Sequence, residues 1–325
     1  MTGIALDGMI PMQAMLDLAR HAERLGVPSL WMAEHVGYRD GVAGSMALLG
    51  ATRAVTVAPT AISIFSRHPM IAAMTAATLE EFAPRRTLFA LASGNPRALG
   101  ELGLPVRQPL AHMREYVAVL RALWRGEPVT FQGRVFQLRE ARLHVVPETP
   151  PPLWIAAMGP RMLELTGEIA DGVVLSAALA PAYIRHSLQS VRAGALRAGR
   201  DVKTIGTVGF VLASVGSDGA AARREAKKML AYLFRNRFVA ESLEMAGSRI
   251  DRPAVADAAA RGDWTAALRG IPDEEVTRYA VAGTPGECRD QLDAFRDAGL
   301  DTPVLLAIGD LAARRLAVEL AGARA

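Results

Sequence analysis

Cysteine is almost missing from this chain: of 325 residues, Cys288 is the only one. Intramolecular disulfides and cysteine-based zinc sites are therefore excluded, and a reducing cytoplasm is the expected setting. Lysine is nearly as scarce. Lys203, Lys227 and Lys228 are the whole set, so the formal charge of +4 is carried by arginines, and these form no basic run. Nucleic-acid binding normally shows a clustered basic stripe, so no such partner is expected. No apolar run approaches membrane-spanning length and no basic-then-apolar leader opens the chain, so a membrane partner and an export signal are not expected either. GxSxG, HExxH and P-loop motifs are absent, which leaves serine hydrolase, zincin and P-loop NTPase readings without support.

What remains is rich in hydrophobic residues (51%) and glycine, enough for a large packed core. Short apolar runs at Ile4 to Leu6, Ser29 to Ala33, Ala54 to Ile62 and Thr87 to Ala92 read as strands. So do Leu153 to Ala156, Val173 to Leu175, Ile205 to Ser214 and Pro303 to Ile308. Stretches of helical periodicity separate them, with a hairpin expected over Val129 to Leu138. Eight alternating β and α units predict an α/β fold of TIM (β/α)8 type in a single domain over 1–325. The alternative is an open doubly wound sheet, weakened by the lack of GxGxxG after the first strand. Residues 235–280 break the alternation and are expected to form a helical insertion before the last strand, a lid over the barrel mouth.

The most informative stretch is Leu153 to Ser176, LWIAAMGPRMLELTGEIADGVVLS. It reads as strand, tight turn, helix and strand, with Gly159 allowing the turn and Pro160 suiting the first helical position. Such a unit aims backbone N–H groups of Ala157, Met158 and Gly159 at one spot, where an anion such as a cofactor phosphate is favoured. A βαβ unit with no ligand is the alternative. In a barrel, chemistry sits at the carboxyl ends of strands. Those ends carry Glu34-His35, Ser66-Arg67-His68, Ser93-Gly94-Asn95 and Met158-Gly159. Each has a plainer explanation: Glu34 paired with an arginine, His35 as a wall residue, His68 opening a helix, Gly94 making a turn.

Five segments in order across nearly the whole chain carry a family resemblance: LWMAEH (30–35), SRHPMIAAMTAATLEE (66–81), LFALASGNP (88–96), GPRMLELTGEIADGVVLS (159–176) and VAGTPGECRDQLDAFRDAG (281–299). Together they resemble the bacterial luciferase-like superfamily of flavin- or F420-dependent barrels, and within it the F420-dependent methylenetetrahydromethanopterin reductases. The resemblance implies an oxidoreductase that transfers a hydride between coenzyme F420 and a small organic substrate, usually as a homodimer. FMN-dependent monooxygenation, or flavin binding without turnover, are the alternatives. It implies catalytic roles for Glu34, His35 and Asn95. It also implies cofactor contacts at His35, Thr60, Ala61, Ile62, Gly94, Ala157, Met158 and Gly159, with a non-prolyl cis peptide near Thr60-Ala61-Ile62. Two departures bear on the substrate: Ala5 stands where the reductases carry an acid on the first strand, with Asp7 nearby. Asn95 replaces the acid of their PGD, and an amide cannot serve as a general acid.

Overall fold

In a computed structural model, which describes residues 1–234 and 236–323, twelve strands form. They are β1 (Gly3–Leu6), β2 (Ser29–Ala33), β3 (Thr56–Thr60), β4 (Ile62–Ser63), β5 (Phe89–Ala92), β6 (Val129–Gln132), β7 (Gln137–Ala141), β8 (Leu153–Ala156), β9 (Gly172–Leu175), β10 (Gly206–Val215), β11 (Ala280–Gly283) and β12 (Thr302–Ala307). The parallel order is β3-β2-β1-β12-β10-β9-β8-β5-β4, with β11 paired to β10 on the side. β3 and β4 are halves of one stave, interrupted by a cis peptide between Thr60 and Ala61. The sheet closes on itself where Val57 donates to Arg86 O and accepts from Leu88 N–H. Counting β3 with β4, the eight staves are the eight strands read from the sequence, and the TIM barrel expectation holds.

The staves read as near-continuous apolar runs because both faces are covered, one by the helical ring and one by the barrel interior. Ala5, Trp31, Ala58, Val174, Val208 and Val304 fill that interior. Trp154 fills its lower end, meeting Trp31 edge-on with centroids 5.8 Å apart. Its indole fits because both neighbouring strands offer glycine there. A Cβ on Gly206 would come 2.5 Å from Trp154 Cη2, and one on Gly172 would fall inside the ring. The outer ring is built of amphipathic helices such as Met12–Arg24, where Met15, Leu18, Ala19 and Ala22 turn inward.

The antiparallel hairpin of β6 and β7 is latched to the Pro109–Leu123 helix by one carboxylate. Glu115 accepts from the backbone N–H groups of Arg134, Val135 and Phe136 at 2.8 to 3.0 Å. Burial pushes its pKa up, but those three hydrogen bonds outweigh it and hold the group below its ordinary value. The insertion comprises the helices Arg237–Met245, Arg252–Ala260, Trp264–Arg269 and Asp273–Val276. They share a second apolar core with the Gly219–Leu233 helix, including Leu230, Phe234, Val255, Ile271 and Tyr279. The insertion was expected to run to residue 280, but Ala280 already pairs with Leu212 in β11. Its expected first residue, Arg235, lies outside the described residues. No helix among the described residues is long and apolar enough to cross a membrane.

Candidate functional site

Because the staves are parallel, their carboxyl ends share one mouth, and the sequence-predicted site residues belong to those ends, although the Ile62 side chain is fully buried in the core shared with the helices. At the end of β2, Glu34 donates its backbone N–H to Thr60 O at 2.9 Å, tying it to the cis peptide of the next stave. That bond is where the resemblance placed it. The Glu34 side chain accepts from Gly41 N–H at 3.3 Å through Oε2, which also lies 3.5 Å from Arg67 Nη2. Burial pushes the Glu34 pKa up, opposed first by Arg67 and reinforced by Asp40. The arginine partner is thus real. It came from the Ser66-Arg67-His68 segment, which the sequence brought into view without assigning it a role.

His35 is exposed, its ring edge-on to Tyr38 with centroids 6.4 Å apart, and the protein packed around it still lowers its pKa by desolvation, with Asp7 opposing. Its imidazole is therefore neutral at neutral pH, able to accept or release a proton at either nitrogen. Asp7, at the end of β1, is itself buried and paired with Arg314 Nη2 at 2.8 Å; its other oxygen takes Met9 N–H at 3.0 Å. It supplies a fixed negative charge near His35. Only the tertiary fold reveals this, since Asp7 and Arg314 sit at opposite ends of the chain.

Two residues turn out to be structurally occupied. Asn95 caps the Pro96–Glu101 helix, its Oδ1 accepting from Arg97 N–H at 3.0 Å. Gly94 has φ 77°, and a Cβ there would meet Ser63 Oγ at 2.8 Å and Leu99 Cδ1 at 2.9 Å. Space beside Gly94 is filled by protein, so what it provides is the turn. His68 likewise caps a helix, accepting from Met70 N–H at 3.1 Å, as expected of a residue before Pro69.

Across the mouth, at the end of β8, the turn differs from expectation in one respect. Ala157 N–H is taken by Val174 O at 3.1 Å, because the ladder to β9 continues one residue past β8. Met158 and Gly159 N–H have no partner among the described residues, and Gly159 begins the Pro160–Ile169 helix without a side-chain cap. Uncapped donors at a helix start, carrying the positive end of its dipole, suit an anionic group. The Pro181–Arg197 helix and the insertion support this turn from outside. Tyr183 hydroxyl donates to Met158 O at 3.3 Å and lies as close to Glu241 Oε2. Phe238 lies 3.3 Å from where a Gly159 Cβ would be, and Asn236 Nδ2 3.5 Å from Met158 Sδ. The helix of the insertion thus lies over this sector of the mouth. No group of three or more metal-ligating side chains occurs among the described residues.

Known proteins share this arrangement. A sequence model of the luciferase-like monooxygenases matches residues 2–302. The 5,10-methylenetetrahydromethanopterin reductase of Methanolobus tindarius is 28% identical over 304 residues, 92% of this chain and 91% of its own. The coenzyme F420 dependent tetrahydromethanopterin reductase of Methanopyrus kandleri superposes with a TM-score of 0.89 at 24% identity, over 99% of this chain and 96% of its own. The monooxygenase RslO1 of Streptomyces bottropensis does so with a TM-score of 0.75 at 22% identity, over 99% and 98%. At such identity these two likenesses speak for the fold.

Proposed function

The chain belongs to the luciferase-like monooxygenase family, and from that premise we propose that it is an F420-dependent oxidoreductase acting on a small organic molecule. The observation that carries the reading is a pair of features at the ends of the staves: N–H groups at Met158 and Gly159 without a partner among the described residues, and His35 beside Glu34. Met158 and Gly159 would hold the cofactor's phosphate. Thr60, Ala61 and Ile62 would back its ring, and His35 would line the ring's edge. When bound, the deazaflavin supplies the hydride chemistry. The chain's own residues hold, orient and exclude water, and His35 holds or takes the proton that accompanies transfer. Asn95 keeps its amide N–H2 available to a substrate oxygen, but it has no acidic proton to give. The acid of the reductases is missing there, so a substrate other than the pterin is favoured.

Titration with F420 and FMN side by side tests this. A visible-spectrum shift with F420 alone supports the proposal. Binding of FMN alone, with oxygen consumed when FMNH2 is supplied, replaces it with monooxygenation. Binding with no substrate-dependent oxidation of the reduced cofactor indicates a carrier.

The protein would work as a homodimer in the cytoplasm; the lone, buried Cys288 suits a reducing compartment. The Gly41–Ala51 and Pro69–Phe82 helices lie side by side, Phe82 3.6 Å from where a Gly50 Cβ would be. Ile71, Met74 and Phe82 are about half exposed on that face, while Thr75 and Thr78 bond their own helix. An exposed apolar row of this kind, with Glu81 at its end, suits an isologous contact. Met74→Glu should convert a dimer to monomers in sedimentation; an unchanged sedimentation coefficient would place the interface elsewhere.

A further inference from the structure

Glu34 is held through one oxygen only. Oε2 receives Gly41 N–H at 3.3 Å and lies 3.5 Å from Arg67 Nη2, whereas Oε1 has no partner among the described residues. The side chains of Glu34 and Arg67 are 18% and 22% exposed, so the pair is mostly desolvated but open on one side. Arg67 is itself fixed at both ends. Its Nη2 donates to Asp40 Oδ2 at 2.7 Å, and its carbonyl accepts from the Tyr116 hydroxyl at 3.1 Å. Asp40 cannot swing away, since its Oδ1 caps the Gly41–Ala51 helix by accepting from Val42 and Ala43 N–H. Gly41 completes the clamp: a Cβ there would lie 2.9 Å from Glu34 Cβ, so only glycine brings its N–H this close.

The charged and titratable groups facing Glu34 are Arg67 from the stave that follows, Asp40 from its own loop and Tyr116 from the Pro109–Leu123 helix. Burial and Asp40 favour the protonated carboxyl; Arg67 and the Gly41 N–H oppose them. A protonated glutamate would lose its charge pairing with Arg67 and present an O–H donor on one oxygen while the other still accepts. Among these groups Arg67 is the one side chain that favours the carboxylate.

We propose that Arg67 is a positioning residue of the cofactor site: it locks Glu34 through Oε2 as a carboxylate, so that Oε1 stands at the mouth as a fixed acceptor for an N–H or O–H of the bound ligand. What the acceptor meets rests on the cofactor reading above; the locking rests on this chain's own contacts. The two are separable by experiment. Infrared titration of the unliganded protein, read as the difference from Glu34→Gln, follows the Glu34 carboxyl. In Arg67→Met its proton affinity should rise at least about tenfold over wild type, and Arg67→Lys should return most of the way. In parallel, F420 affinity of Arg67→Met should be at least about tenfold weaker near pH ~6 and recover near pH ~8, while wild type and Arg67→Lys stay flat across that window. A superimposable infrared titration for Arg67→Met, or an affinity loss equal at both pH values, overturns the proposal. Failure of wild type to bind either F420 or FMN would defeat the cofactor reading instead, and the infrared titration would still decide what Arg67 does to Glu34.

Discussion

The two ends of this barrel share the same staves and are built on opposite rules. At the amino-terminal end the interior is filled: Trp154 lies across Gly172 and Gly206, and its indole Nε1 is buried without a partner among the described residues. Loops there are tied down by carboxylates. Asp171 takes Leu153 N–H at 2.8 Å and Arg121 at 3.1 Å, and Glu23 takes three backbone N–H groups from Arg53 to Val55. At the carboxyl-terminal end, polar groups are left half engaged among the described residues: Glu34 with one oxygen unpartnered, Met158 and Gly159 with N–H groups unpartnered, His35 open to water. Apart from that indole N–H, the amino-terminal end spends these polar groups on the chain itself, and the carboxyl-terminal end keeps some in reserve for a ligand. The lesson is that stability and binding are separated along the strand axis, which lets the mouth change without loosening the floor.

One pair crosses that division, and breaking it should give the largest effect. Asp7 and Arg314 belong to the mouth yet are 8% and 9% exposed. Asp7→Ala leaves the guanidinium buried without its counter-charge, so we expect a loss of about 3–5 kcal/mol in denaturant unfolding. A change within ~0.5 kcal/mol would show that water already shares the load and that even this pair is part of the reserve. Next comes the floor. Gly172→Ala forces the Trp154 ring to move, with an expected cost of about 1–3 kcal/mol and no change in cofactor affinity of the folded protein. Weakened affinity at full folding would mean that the two ends are coupled. Third, His35→Ala should weaken cofactor binding or turnover at least about tenfold while thermal stability stays put, since the ring is not part of the core. Equal affinity and rate in the variant would remove His35 from the site.

The smallest effect is the pH dependence of His35. Burial lowers its pKa, so the folded protein binds fewer protons than the unfolded chain below the ordinary imidazole range of about 6.5. The neutral ring should persist as pH falls past that value: a slight loss of stability should begin there, because the unfolded chain takes up a proton that the folded ring refuses, whereas ligand affinity should fade only on further acidification, as the ring itself protonates. A nuclear magnetic resonance titration of the ring that gives a midpoint above the ordinary value would reverse the sign.

Much of the frame was legible because it depends on local pattern. All eight staves announced themselves as apolar runs bounded by glycine, proline or polar residues, and the helix after Gly159 by its Gly-Pro start. The β11 strand is not among the runs read from the sequence: Ala280 to Gly283 is a strand because β10 outruns β9 and leaves Leu212 to Val215 open for pairing on that edge. The short Pro96–Glu101 helix was missed too, although Asn95 before Pro96 was its capping signal. Asn95 drew attention as chemistry when its oxygen was committed to backbone. Ala157 N–H looked free in sequence and was claimed by Val174, a ladder bond that no local pattern reports.

By itself, then, the chain determined an alternating β and α order, the glycine and proline turns at stave ends, and which residues would arrive at the mouth. These follow from periodicity and backbone freedom, which act over a few residues at a time. Only the tertiary structure decided which of those arrivals stay available. Arg67 reaching Glu34, Arg314 reaching Asp7 and Phe238 reaching Gly159 are contacts between distant segments. Whether a polar group is spent or held open depends on what barrel closure brings against it.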